Sequence, residues 1–198
     1  MLFDLDGTLV ELRHVHEQAL NAALTRCGYP PIPHTEHLAR FDGLPTRVKL
    51  EMLGIPEAHR SAVNHIKQLE TARLIGQDLR PDRRMLEELR RIRTDFFVGV
   101  VSNALLATCV AILLRSGIGK YVQLLIAGDM GVPKPDPDLY LKAVSAAHLD
   151  PAQTIAVEDN HYGLEAARRA GLRCLEVRNP ADVTAEFIRE GFHARQPA

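Results

Sequence analysis

Cysteine is scarce in this chain: Cys27, Cys109 and Cys174 are the only three in 198 residues, and none belongs to a CxxC pair. An odd, widely spaced set argues against a disulfide framework and a zinc site. Long apolar runs are missing too. Nowhere do about 18 apolar residues stand together, and no basic stretch leads into an apolar one at the start, so neither a membrane span nor a signal peptide is expected. The protein is accordingly placed in the cytoplasm. Charge of one sign is also lacking, because 24 basic side chains face 25 acidic ones for a net charge of -1. That balance gives no reason to expect a nucleic acid or a membrane surface as partner. Internal repeats and low-complexity tracts are absent.

What is present suffices for one sizeable core. Hydrophobic residues make up 46% and charged residues 25%, and domains usually run to about 100 to 150 residues, so one folding unit carrying an insertion is expected. That size suits a monomer or a weak homodimer.

From Pro81 onward, helix-like and strand-like patterns alternate. Met85, Leu86, Leu89 and Ile92 recur at helical spacing between Asp82 and Arg93, and FFVGVV (96–101) is the apolar, β-branched run of a strand buried on both faces. Leu105, Leu106, Cys109, Val110, Ile112 and Leu113 predict the apolar side of a second helix, closed by Gly117. VQLLIA (122–127) reads as a strand. GVPKPDPDLY is then a proline-restricted loop in which Asp136 caps a helix with Pro137 in its first turn. TIAV (154–157) and RCLEV (173–177) complete the strands, with a small-residue helix from Gly163 to Ala170 between them. The alternation predicts an α/β fold, a Rossmann-like doubly wound parallel sheet. Residues 13–80 carry no strand-like run; His14 to Arg26, Thr46 to Leu53 and Pro56 to about Ile75 read as helices. The expected organisation is a core domain of residues 1–12 and 81–198, with a small helical domain, 13–80, inserted after the first strand.

In an open parallel α/β sheet, ligands bind outside the carboxyl ends of the strands. Those ends here are polar: Asp4 and Asp6, then Ser102 and Asn103, then Asp129, then Glu158 and Asp159, with Lys134 a few residues past the third strand. Several carboxylates in one crevice repel one another unless a cation neutralises them. Oxygen ligands without convergent His or Cys favour Mg²⁺ over zinc or copper. A bound Mg²⁺ and Lys134 would attract a phosphoryl group, and the Asp4 carboxylate could attack its phosphorus.

FDLDGTLV, the VVSNA segment, GVPKPDPDLY and VEDNHYGLEAARRAG resemble the four ordered motifs of the haloacid dehalogenase-like (HAD) superfamily of hydrolases with a helical cap after the first motif, in its phosphoglycolate phosphatase and β-phosphoglucomutase-like branch. The resemblance covers nearly the whole chain. It implies a Mg²⁺-dependent phosphatase acting on a small phosphorylated metabolite, with a sugar phosphomutase as the alternative; a rival from another class is a phospho-accepting signalling module, since receiver domains also combine an acidic Mg²⁺ site, Ser/Thr and Lys around an aspartate. The resemblance further implies that Asp4 is the nucleophile forming an aspartyl-phosphate and that Asp6 protonates the leaving alcohol and then activates water. Ser102 and Lys134 would hold phosphoryl oxygens, with Asn103 assisting. Mg²⁺ would be bound by the Asp4 carboxylate, the Asp6 backbone carbonyl and Asp159, with Glu158 a ligand directly or through water. Dehalogenating relatives lack the second aspartate, because a halide needs no proton on leaving whereas an alkoxide does. Asp6 therefore favours phosphate ester chemistry.

Three further positions are weighed against simpler roles. Arg47, in FDGLPTRVKLEML, either holds a distal anionic group of the substrate or, as preferred, pairs with Glu51 at i, i+4 on a solvated helix. His16 sits where relatives often keep a histidine near the hinge between domains. Asp129 either orients Lys134 or simply begins the loop. Only Met1, Leu2 and Phe3 precede Asp4, fewer than the five or six residues usual in a strand, so a shortened first strand is expected.

Overall fold

The computed structural model describes residues 1–194. Among the described residues, β1 (Leu2–Phe3), β2 (Gly99–Val101), β3 (Leu124–Ile126), β4 (Ile155–Glu158) and β5 (Arg173–Glu176) form one parallel sheet in the order β3-β2-β1-β4-β5. The first strand is thus central: Leu2 pairs with Gly99 on one side and Ala156 on the other, and Phe3 with Val100 and Val157. The ladder extends past both its ends, through Gly99 N–H to the Met1 carbonyl (3.0 Å) and Asp4 N–H to the Val157 carbonyl (2.9 Å). Two residues suffice as a strand because both neighbours hold them.

Alternation of side chains along each strand divides the core in two. Phe3, Val100, Ile155 and Val157 face one side, against α5 (Arg83–Asp95), α6 (Leu106–Ser116) and α9 (Ala185–His193). Leu2, Val101 and Ala156 face the other, against α7 (Asp138–Ala146) and α8 (His161–Arg169), where alanines 166, 167 and 170 let the helix approach closely. Asp136, one residue before the N-cap Pro137 of α7, accepts from Asp138 N–H (3.0 Å), and Gly117 closes α6 in the left-handed region at φ 74°.

Three departures from the sequence reading have local causes. Only Gly99–Val101 of FFVGVV joins the ladder; Phe96 ends α5 instead and packs edge-on to Phe192 at 5.1 Å. On α6 the buried face is Cys109, Ile112, Leu113 and Ser116, so Leu106 and Val110, one residue row away, are exposed. Beyond Val177 no element was expected, yet α9 forms there, with Thr184 Oγ1 accepting from Phe187 N–H (3.1 Å) and Ile188 fully buried.

Between β1 and α5 lie α1 (Arg13–Arg26), the single turn α2 (His34–Glu36), a π-helical stretch (His37–Phe41), α3 (Thr46–Met52) and α4 (Glu57–Asp78). Leu20, Leu24, Ile32, Phe41, Leu50, Ile55 and Val63 form their own apolar cluster. The layer is not detached, because Val15 and Ala19 of α1 and Leu74 and Ile75 of α4 pack into the sheet-side core. No helix among the described residues is long and apolar enough to cross a membrane. Phe3 is fully buried on the central strand, so Phe3→Ala should cost about 3–5 kcal/mol in chemical denaturation; a loss below about 1 kcal/mol would show that β1 is not the packed centre of the sheet.

Candidate active site

The chain leaves β1 at Asp4 and turns at once. Gly7 adopts φ 88°, its N–H donating to the Val10 carbonyl (2.7 Å), and Leu9 N–H returns to the Leu5 carbonyl (3.0 Å). The left-handed conformation alone favours glycine. Space requires it as well, since a Cβ at Gly7 would overlap the Asp159 carboxylate. Thr8 Oγ1 donates to Asp159 Oδ1 (3.4 Å), tying the first motif to the end of β4.

Lys134 reaches from the proline-rich loop into the sheet end, where only 2% of it stays exposed. Its ammonium donates to Asp4 Oδ1 (2.7 Å), Glu158 Oε1 (2.6 Å) and the Val101 carbonyl (2.7 Å), using all three N–H bonds. Tyr140 O–H also donates to Glu158 Oε1. Ser102 is buried at the end of β2, its Oγ accepting from Ala104 N–H (3.1 Å). Asn103 grips the Lys134 backbone from both sides: Oδ1 accepts from Lys134 N–H (2.8 Å), while Nδ2 donates to the carbonyls of Lys134 (3.1 Å) and Gly43 (3.2 Å). The Asn103 amide is therefore spent on protein.

Asp6 faces the inserted helices. Its Oδ1 accepts from Leu12 N–H (2.7 Å), and its Oδ2 lies 3.2 Å from His16 Nε2. The other ring nitrogen, Nδ1, is 3.5 Å from Lys67 Nζ. Since an ammonium can only donate, Nδ1 is the acceptor and Nε2 carries the hydrogen toward Asp6. Burial, then the Lys67 charge, lowers the His16 pKa and keeps the ring neutral.

These groups surround one cavity of about 510 Å³, lined by Asp4, Asp6, His16, Arg47, Ser102, Asn103, Lys134 and Asp159. Of the residues chosen from the sequence, Glu158 lies beneath it, fully buried. Arg47 lines the cavity from α3, where it is exposed and makes no ion pair with Glu51. Asp129 does not orient Lys134; its Oδ1 accepts from Leu106 N–H (2.9 Å) and so anchors the start of α6. Sequence reasoning passed over Thr8, Tyr140, Lys49 and Lys67. The signal for Lys67 was present, since it shares one helical row with Val63, Thr71 and Leu74, all buried.

One carboxylate oxygen each from Asp4, Glu158 and Asp159 lie within 4.8 Å of one another. Burial pushes Asp4 up to about 7 against the pull of Lys134, and burial with the neighbouring Asp4 pushes Asp159 up to about 7. Burial also raises Glu158, whose Oε2 has no hydrogen-bond partner. Crowded oxygens of this kind, one of them orphaned, fit a hard divalent cation.

The Asp159 shift carries a sign. A carboxyl that holds its proton more tightly in the fold contributes stability below its ordinary value of 3.8 and loses it as pH rises through about 7. In protein stripped of divalent cations, the chain should therefore lose stability from about pH 4 to pH 7 relative to Asp159→Asn measured alongside. A gap between the two melting curves that stays constant across that range would contradict the assignment.

A family model described as haloacid dehalogenase-like hydrolase matches residues 1–177. Phosphoglycolate phosphatase of Cupriavidus necator is 30% identical over 210 residues, covering 98% of this chain and 90% of its own length. Validoxylamine A 7'-phosphate phosphatase of Streptomyces hygroscopicus subsp. limoneus is 29% identical over 196 residues, covering 93% and 87%. Among solved structures, β-phosphoglucomutase from Clostridium difficile superposes with a TM-score of 0.82 at 18% identity, covering 96% of this chain and 95% of that one. At that identity the likeness is one of fold. Because the family match runs through the sheet, the inserted helices and every strand end that lines the cavity, the chain belongs to the haloacid dehalogenase-like hydrolases.

Proposed function

We propose that the protein is a Mg²⁺-dependent phosphatase that hydrolyses a small phosphorylated metabolite through an aspartyl-phosphate on Asp4. The observation that carries this reading is the Asp4 carboxylate itself. It sits buried at the end of the central strand, Oδ1 fixed by Lys134 at 2.7 Å, while Oδ2 makes no hydrogen bond among the described residues. The names of the relatives agree, since phosphoglycolate and validoxylamine A 7'-phosphate are both small phosphate esters. Residues 13–80 act in this reading as a cap that excludes bulk water from the cavity, and 1–12 with 81–198 as the core that carries the chemistry.

In the first step an Asp4 oxygen attacks phosphorus, the bond from phosphorus to the ester oxygen breaks, and Asp6 gives its proton to that oxygen. In the second, Asp6 takes a proton from water, whose oxygen attacks the phosphorus and releases phosphate from Asp4. Ser102 holds a phosphoryl oxygen, the Lys134 ammonium, whose three N–H bonds are taken by protein, acts on the phosphoryl group through its charge, and Asn103 acts indirectly by clamping the Lys134 backbone. His16 orients the Asp6 carboxylate through Nε2. Mg²⁺ would be held by the carboxylates of Asp4 and Asp159 and the Asp6 carbonyl, with Glu158 behind them; when bound it supplies positive charge against the phosphoryl oxygens.

Phosphate release should require Mg²⁺ and stop in EDTA, and Asp4→Asn should lower kcat by at least about 10³-fold. Near-normal Mg²⁺-dependent release from that variant would sink the assignment. Asp6→Asn should lower kcat far more for an alkyl phosphate than for p-nitrophenyl phosphate, whose leaving group needs no proton, by roughly 10²-fold in the ratio. Product analysis with a hexose 1-phosphate tests hydrolysis against isomerisation: free phosphate supports the phosphatase, whereas an isomerised sugar phosphate assigns a mutase.

A further inference from the structure

A buried carboxylate is best satisfied when each of its oxygens meets a donor. Glu158 is fully buried and has two side-chain donors, yet both fall on Oε1: the Lys134 ammonium at 2.6 Å and the Tyr140 hydroxyl. Oε2 accepts no hydrogen bond among the described residues. If the hydroxyl served only to satisfy a buried charge, the bare oxygen would be its better partner. Doubling the donors on Oε1 instead keeps Oε2 open to a further group.

Tyr140 is placed to hold that arrangement. It belongs to the apolar cluster on the α7 side of the sheet, with Leu2, Val101 and Leu139, and none of its surface is exposed. The Lys134 ammonium stands over its ring, 5.2 Å from the centroid, within the range of a cation–π contact. One side chain thus meets both partners of the Lys134–Glu158 pair, the lysine by its ring and the glutamate by its hydroxyl. The terminal torsion of a glutamate is broad and nearly two-fold, so Lys134 alone would be served equally well by either oxygen. A second donor, arriving from α7 rather than from the proline-rich loop, removes that freedom.

We propose that Tyr140 is a positioning residue whose hydroxyl, acting with Lys134, fixes the Glu158 carboxylate with Oε2 free for the divalent cation or for water bound to it, and so makes the site selective for Mg²⁺ over Ca²⁺. The selectivity follows from the two ions' demands. Mg²⁺ requires near-octahedral oxygens, whereas the larger Ca²⁺ accepts a flexible set of six to eight. A carboxylate free to turn would serve Ca²⁺ and fail Mg²⁺. This rests on the Mg²⁺-dependent reading above and adds to it a residue that touches neither cation nor substrate.

The test needs no turnover. Full-length protein freed of divalent cations is titrated with MgCl₂ and, separately, with CaCl₂, and the affinities are read from the rise in Tm. Tyr140→Phe keeps the ring and its contact with Lys134 and removes only the hydroxyl. It should weaken Mg²⁺ binding about tenfold or more, the usual effect of losing a partner behind a metal ligand, and Ca²⁺ binding by less than about threefold. Leu172→Ala opens a cavity in the same apolar cluster without removing a hydrogen bond; it should lower the Tm of the cation-free protein and leave the ratio of the two affinities within about twofold. An unchanged ratio in Tyr140→Phe, or an equal change of ratio in Leu172→Ala, overturns the proposal and leaves the phosphatase reading standing. If Tyr140→Phe does not fold, Glu158→Asp decides, because it keeps the charge and draws the carboxylate back from the hydroxyl. That variant should lose Mg²⁺ over Ca²⁺ by a similar factor, and retained selectivity overturns the proposal. A wild-type Tm that does not respond to Mg²⁺ overturns the Mg²⁺-dependent reading and this proposal together.

Discussion

The Lys134 ammonium is the point on which the sheet end depends. One buried nitrogen joins the carboxylate after β1, the carboxylate that ends β4 and a carbonyl of β2. Burial alone would lower its pKa, but the charges of Asp4 and Glu158 and their hydrogen bonds outweigh burial and raise it. A buried pair of this kind is weak evidence for stability as such, because desolvation offsets much of the attraction, whereas removing one partner leaves an uncompensated charge worth about 3–5 kcal/mol. What the lysine fixes is position. Tyr140 and Asn103 then hold, respectively, the far carboxylate and the lysine's own backbone.

Around that knot the carboxylates come closer together than their charge alone would permit. Two glycines make room: Gly7 beneath Asp159, and Gly163 at the start of α8, where a Cβ would overlap the Glu158 carboxylate. The Gly163 N–H is meanwhile held by Asn160 Oδ1 at 3.0 Å. Packing thus enforces the electrostatic crowding, which adds to burial in raising the pKa values of Asp4 and Asp159.

Much of this was legible in the sequence because strand ends in a parallel sheet are marked by an abrupt change from apolar to polar residues. DLDGT, SN and VED each sit at such a change, with KP a few residues past β3, and the cavity collects Asp4, Asp6, Ser102, Asn103, Lys134 and Asp159 from them. Less legible were groups whose role depends on the phase of a helix. Leu106 and Val110 look apolar enough for the core yet fall on the exposed flank of α6, and Lys67 looks like a surface lysine yet falls on the buried row of α4. Asp129 was left between orienting Lys134 and beginning the loop, and neither reading named the backbone N–H at the head of α6 that its carboxylate meets. Tyr140 left no trace, since a tyrosine on an apolar helix face gives no hint of which carboxylate its hydroxyl will meet.

Asp6 commits one oxygen to the Leu12 amide and the other to His16, so the carboxylate is attached to the start of α1 at two points. Both points belong to the segment by which the chain first passes from the sheet to the inserted helices. Such an attachment works in both directions with equal free energy. Whatever the orientation of α1 does to the aim of the carboxylate, a group that draws the carboxylate toward itself does in the same measure to α1.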